Sequence, residues 1–139
     1  MLKNLLLTKI HVNRLHLCLL ILRVCLGVLM ANHGYDKLLA YDEKHQTFMS
    51  FMGLGGSLSL ALLIFAELFC ALFLAIGLLT RYALIPLIVA MAVAAFEAHH
   101  GEIFGKGESS FIYLVCFAVL FISGPGKYSL DHYLVKQRK

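Results

Sequence analysis

The longest apolar run in the chain is Ser57–Leu79, which a single charged residue, Glu67, interrupts. A helix needs roughly 20 apolar residues to cross the hydrocarbon core of a bilayer, and this run is long enough. A helix on the surface of a soluble protein keeps a polar face, whereas this run is apolar on every face. The run therefore predicts a transmembrane helix and argues against a soluble α-helical bundle.

Three further apolar runs repeat this pattern. They are Leu15–Ala31, which Arg23 interrupts, Tyr82–Phe96 and Phe111–Ile122. The chain is 60% hydrophobic and 14% charged, against about 45–50% and about 25% in soluble domains. We therefore predict an all-α integral membrane four-helix bundle, a single domain over residues 1–139. With their flanks added, the expected spans cover residues of about 15–32, 57–79, 82–99 and 108–123.

A short amphipathic helix is expected after the fourth span. The sequence Gly124-Pro125-Gly126 ends that span, because proline lacks an amide donor and glycine permits the turn. Ser129 can then cap a helix over residues of about 129–136, with Asp131 in its first turn.

Basic residues are divided unevenly between the two ends of the predicted bundle. Eight lie on one side (Lys3, Lys9, Arg14, Arg81, Lys127, Lys136, Arg138 and Lys139) and three on the other (Lys37, Lys44 and Lys106). Segments rich in Lys and Arg remain in the cytoplasm, so both termini are predicted to be cytoplasmic. The net charge of +4 indicates contact with an anionic membrane surface, and we expect no nucleic-acid partner.

Two charged residues, Arg23 and Glu67, fall inside the apolar runs. At 1.5 Å per residue, each lies about 12–15 Å from the start of its run, near the middle of the bilayer. A lone charge there costs at least about 2.5–3.5 kcal/mol. We therefore expect an Arg23–Glu67 ion pair in the bundle interior, which would either fix the register of the helices or mark a functional site.

One face of the first span gathers residues suited to helix packing. His16, Arg23, Gly27, Met30 and Gly34 lie on one side at 100° per residue. Gly27 would let a neighbouring backbone approach beside Arg23. Lys37 would join this face if the helix continued so far.

The remaining polar candidates lie at the end opposite the termini. His33, Lys37 and His99 could form a polar outer vestibule, with Glu97 and Glu108 at predicted helix ends. Buried carboxyl groups in such places can transfer protons. The alternative is that these charges simply face water.

The sequence contains no motif for a metal, a haem or a nucleotide. His99 and His100 are adjacent and point apart on a helix, so we predict no metal site. Cys18, Cys25, Cys70 and Cys116 form no CxxC pair, and we expect them to pack between helices as small apolar residues.

Five short motifs, in order and spacing, resemble one known family. They are Arg23-Val-Cys-Leu-Gly27, His33-Gly-Tyr-Asp-Lys37-Leu38, Glu67, Gly77-Leu-Leu-Thr-Arg81 and Ser123-Gly-Pro-Gly-Lys-Tyr-Ser-Leu-Asp131. Together they resemble the DoxX family of small four-helix membrane proteins, which is related to the DoxD subunit. The resemblance implies a multi-pass protein of the bacterial inner (plasma) membrane. It carries over Arg23, Lys37 and Glu67 by position, without a role common to the family.

The resemblance also implies a redox context. DoxX-like proteins are described as membrane oxidoreductase components, DoxD-like subunits are linked to thiosulfate–quinone oxidation, and some members to thiol and oxidative stress. We therefore expect a quinone- or thiol-linked redox subunit, with a quinone as the candidate cofactor. Its expected partners are the lipid bilayer and either another protein or further copies of itself. The alternatives are a non-catalytic scaffold or assembly factor and a small transporter or proton pathway.

Overall fold

The computed structural model describes residues 11–138, and this part of the chain forms helices and no strands, which confirms the all-α prediction. The main helices are α1 (Val12–Leu39), α2 (Gly56–Ile76), α3 (Thr80–Ala98), α4 (Glu108–Ser123) and α5 (Leu130–Gln137). The first loop also contains two single helical turns, Tyr41–Lys44 and Phe51–Gly53. Helices α1, α2 and α3 are long and apolar enough to cross a membrane. Helix α4 is equally apolar in character but has 16 residues. The chain is thus a multi-pass membrane protein.

The four long helices pack in chain order. Helix α2 contacts both α1 and α3, α3 contacts α4, and the seam between α4 and α1 has the fewest contacts. Loop residues 40–55 and 99–107 lie together at one end of the bundle, here called the loop end. The turn after α2, the segment after α4 and helix α5 meet the first half of α1 at the other, here called the basic end.

The basic end takes its name from five described residues: Arg14, Arg81, Lys127, Lys136 and Arg138. Three more of the basic residues assigned to this side, Lys3, Lys9 and Lys139, lie outside the described residues. Lys37, Lys44 and Lys106 belong to the loop end. The assignment of the basic end to the cytoplasm stays a prediction.

Helices α1 and α2 approach closely because α1 presents glycines to α2. A Cβ atom on Gly27 would lie 2.7 Å from the Ala71 carbonyl oxygen, and one on Gly34 would lie 2.5 Å from the Leu68 nitrogen. Helices in lipid gain little from the hydrophobic effect and associate through close packing at small residues. Four of the five residues of the predicted stripe, Arg23, Gly27, Met30 and Gly34, are therefore buried on the packing face, whereas His16 is half-buried.

Helix α1 is longer than the sequence suggested. It continues through Asn32 and Gly34 to Leu39, because Gly34 is held against the backbone of α2. The other end of α1 extends past α2, since Arg23 lies beside Gly77, the residue that ends α2. The residues before Arg23 thus project beyond the end of α2, with Leu15, Leu17 and Ile21 exposed.

Two segments of the long helices are π-helical, Phe65–Cys70 within α2 and Ala94–Ala98 at the end of α3. Each contains a glutamate, Glu67 in the first and Glu97 in the second. A π-helical turn carries an extra residue, which shifts the direction of the side chains around it, and such turns are frequent at functional sites. The sequence pattern gave no indication of either segment.

The cysteines do not all behave as predicted. Cys70 is buried in the core, and Cys116 is half-buried, as residues that pack between helices would be. Cys18 and Cys25 lie exposed on α1, so the prediction that they pack between helices is wrong. All four are free thiols.

Candidate functional site

A partly buried ion pair joins α1 to α2. The Lys37 ammonium donates a hydrogen bond to Glu67 Oε2 at 2.5 Å, and the exposed fractions of the two side chains are 30% and 4%. Glu67 lies about 16 Å along the axis from the first residue of α2, at 1.5 Å per residue. An uncompensated carboxylate at such depth is strongly unfavourable. Lys37, two residues before the end of α1, relieves that cost.

The predicted Arg23–Glu67 ion pair is wrong. The two residues lie at different levels, since Glu67 packs beside Gly34 while Arg23 packs beside Gly77. Along α1, Arg23 and Gly34 are separated by about 16 Å. Glu67 takes its positive partner from Lys37 instead.

Arg23 binds the segment that follows α4. Its side chain is only 1% exposed, and its two terminal nitrogens donate hydrogen bonds of 2.8 Å to the carbonyl oxygens of Pro125 and Tyr128. Its Nε has no hydrogen-bond partner among the described residues. Gly77 leaves room for the guanidinium, because a Cβ atom there would collide with it. Arg23 thus anchors the C-terminal segment to the bundle.

Asp131 ties α5 to the turn between α2 and α3. Its two carboxylate oxygens accept hydrogen bonds from the backbone amides of Leu79 at 2.7 Å and Thr80 at 2.9 Å. Its own amide donates to the Gly77 carbonyl at 2.9 Å. The predicted cap of α5 is present, since the Ser129 hydroxyl accepts from the His132 amide at 3.2 Å. The Asp131 carboxylate therefore caps the start of α3, because it accepts hydrogen bonds from backbone amides there.

An apolar groove of about 370 Å³ lies between α2 and α3, beneath the first loop. Phe48 and Phe51 of the loop line it, and no charged residue does. Its one buried hydroxyl, on Ser59, already accepts from the Phe51 amide at 2.9 Å and donates to the Gly55 carbonyl at 2.7 Å. The groove suits an apolar ring or chain better than a polar ligand.

The other predicted site residues do not form one vestibule. Glu97 is exposed on α3, between Ala94 and Ala98, which both line the groove. Glu108 is exposed at the start of α4. The ring of His33 faces Tyr113 of α4 edge-on at 6.3 Å, and His99 lies beside Gly107. Lys37 is the one member of the expected vestibule that contacts Glu67.

No three His, Cys, Asp or Glu side chains within residues 11–138 are placed to hold a metal ion together. Three features of the site were not predicted from the sequence. They are the carbonyl partners of Arg23, the capping role of Asp131 and the apolar groove. The spacing of Lys37 from Arg23 on one helical face was the signal that could have identified the partner of Glu67.

The family model for DoxX matches residues 18–100, which is more than half of the chain. The chain belongs to the DoxX family. This DoxX protein carries Arg23, Lys37 and Glu67 within the matched region, together with the Gly77–Arg81 motif and Glu97. Its Ser123–Asp131 motif lies beyond the match, yet the structure joins that motif to Arg23 and Gly77. Comparison with curated proteins and with solved structures gives no match.

Proposed function

We propose that this DoxX protein is the quinone-binding membrane subunit of a redox assembly in the bacterial inner membrane, with both termini in the cytoplasm. The apolar groove between α2 and α3 carries the proposal. Its volume of about 370 Å³ falls in the range of small-molecule sites, which are mostly apolar with few polar groups. Helix α4 is the fourth span of the bundle, and its short length is met by local thinning of the bilayer.

A quinone in this groove would contact the chain mainly through its apolar parts. Phe48, Phe51 and Phe65 supply aromatic surface along the groove, and aromatic rings pack well against a planar ring. A bound quinone accepts two electrons and two protons, and the electrons would come from a partner subunit. Glu97 is exposed in the π-helical segment Ala94–Ala98, whose first and last residues line the groove, and we assign it the exchange of protons there.

The groove variant Val89→Trp tests this proposal against a matched control, Val119→Trp. Val89 lines the groove and is 47% exposed, whereas Val119 lies outside it on α4 and is 49% exposed. Both substitutions place an indole on the surface of a helix, but only the first fills the groove. Quinone extracted from the purified protein and its co-purified partners should be present in wild type and Val119→Trp and lost in Val89→Trp. Equal quinone in both variants, or none in wild type, would contradict the proposal.

A scaffold function is the second candidate, and the surroundings of Arg23 favour it. Arg23 and Asp131 bind backbone groups of this chain. These two charged side chains therefore hold the fold together. A scaffold would retain stoichiometric partners in mild detergent when the groove is filled by Val89→Trp. Loss of quinone together with retention of partners would separate the two functions.

A further inference from the structure

A second cavity lies at the basic end, at the junction of α3 and α5. It has a volume of about 400 Å³ and is lined by both charged and apolar side chains. Arg81 and Arg138 supply two guanidinium groups, and Leu79, Leu134 and Val135 supply an apolar wall. We propose that this cavity binds an anionic phospholipid, with the phosphate held by the two arginines and an acyl chain along the apolar wall.

The charge of the cavity supports an anionic ligand. Asp131 also lines it, but both oxygens of that carboxylate are bound by the amides of Leu79 and Thr80. Within residues 11–138, no salt bridge joins Arg81 or Arg138 to an acidic group. The two guanidinium groups are therefore free to bind a phosphate, for which their planar donor geometry is well matched.

The position of the cavity supports a lipid over a soluble anion. It lies where α2 ends and α3 begins, and because both helices are long and apolar enough to cross the membrane, we place this turn at the level of the phospholipid headgroups. Tyr82 lines it at the start of α3 and is exposed, as interfacial aromatic residues are. On α5, Leu134 and Val135 are exposed beside Lys136, a combination typical of helices that lie in the membrane interface.

The site does not involve the groove between α2 and α3, so the two proposals fail or succeed separately. Two simpler ligands are the alternatives to an anionic phospholipid in the cavity at the basic end. A free phosphate would use the arginines alone, and a zwitterionic lipid would use the apolar wall alone. The experiment therefore varies the headgroup charge and the acyl chains independently.

The test measures the affinity of the full-length protein in detergent for added phosphatidylglycerol, from the shift in its unfolding midpoint with lipid concentration. Phosphatidylcholine and glycerol phosphate serve as the two partial ligands. The variants are Arg81→Gln, Arg138→Gln and the double change, with Lys106→Gln at the loop end as the matched control. Unfolding midpoints in phosphatidylcholine show whether each variant is folded.

Wild type and Lys106→Gln should bind phosphatidylglycerol more tightly than either partial ligand. Each arginine removed should weaken that binding about fivefold, and removal of both about 25-fold, with binding of phosphatidylcholine unchanged. Arg138→Gln, at the exposed end of α5, gives a second result should the double variant fail to fold. Unchanged affinity in Arg138→Gln, or equal binding of phosphatidylcholine or glycerol phosphate by wild type, would overturn the proposal.

Discussion

Lys37 Nζ and Glu67 Oε2 lie 2.5 Å apart, in an ion pair that joins α1 to α2 inside the bundle. The pair has one buried and one accessible member, because Lys37 keeps 30% of its side chain exposed. Glu67 lies in the π-helical segment Phe65–Cys70. The intramembrane carboxylate of this protein therefore depends on a cation that reaches it from the loop end.

Arg23→Lys should loosen the C-terminal segment. The guanidinium binds the carbonyls of Pro125 and Tyr128 together, and the single ammonium of lysine cannot reproduce that fork. We expect a loss of about 1.5–3 kcal/mol, the value of one hydrogen bond to a charged group, and faster proteolysis after Ser123. Arg14→Lys, at an exposed position, is the control. Equal proteolysis of the two variants would show that Arg23 does not anchor the segment.

Asp131→Ala should destabilise the start of α3. The change removes the acceptors of the Leu79 and Thr80 amides, and the loss of a helix cap costs about 0.5–2 kcal/mol. Asp131→Asn should lie between alanine and wild type, since the amide keeps one acceptor oxygen. Thermal unfolding in detergent gives the order, with the exposed Asp42→Ala as a control within about 0.5 kcal/mol of wild type. An Asp131→Ala protein as stable as Asp42→Ala would contradict the capping role.

Gly34→Ala should force α1 and α2 apart. The added Cβ atom would lie 2.5 Å from the Leu68 nitrogen, and backbone atoms cannot move aside as a flexible side chain can. Overpacking of this kind costs about 1–3 kcal/mol. Gly105→Ala is the matched control, because the nearest atom to its Cβ would be 3.6 Å away. Thermal unfolding should separate the two variants, and equal midpoints would show that α1 and α2 are not held in close contact at Gly34.

The sequence was sufficient to predict the helices and the buried face of α1, because apolar runs and a 3.6-residue period are local properties of the chain. It was not sufficient to predict which charges meet. The expected Arg23–Glu67 pair assumed that α1 enters the bilayer near Leu15, whereas the contact with α2 begins near Arg23. That offset moves Lys37 to the level of Glu67. The apolar run ends at Ala31, but α1 continues past it, and Gly34 permits the close contact with α2 there.

The features missed at the basic end depend on long-range backbone contacts. Arg23 and Tyr128 lie 105 residues apart in the chain, and the carbonyl that Arg23 binds carries no side-chain signal. At the loop end, the apolar groove likewise depends on a long-range arrangement, the placement of the first loop across α2 and α3. Neither arrangement has a local period or spacing from which it could be predicted.

The most direct test of the arrangement of intramembrane charges is a pair of double-mutant cycles on unfolding free energy in detergent. Lys37→Leu should cost about 3–5 kcal/mol, because it leaves a buried carboxylate without a partner. Glu67→Leu should cost less, because Lys37 can extend its ammonium to water. The double variant should be milder than the sum, with a coupling of at least about 1 kcal/mol, whereas Arg23→Leu and Glu67→Leu should add within about 0.5 kcal/mol. Additive effects for Lys37 and Glu67, or strong coupling between Arg23 and Glu67, would contradict the account.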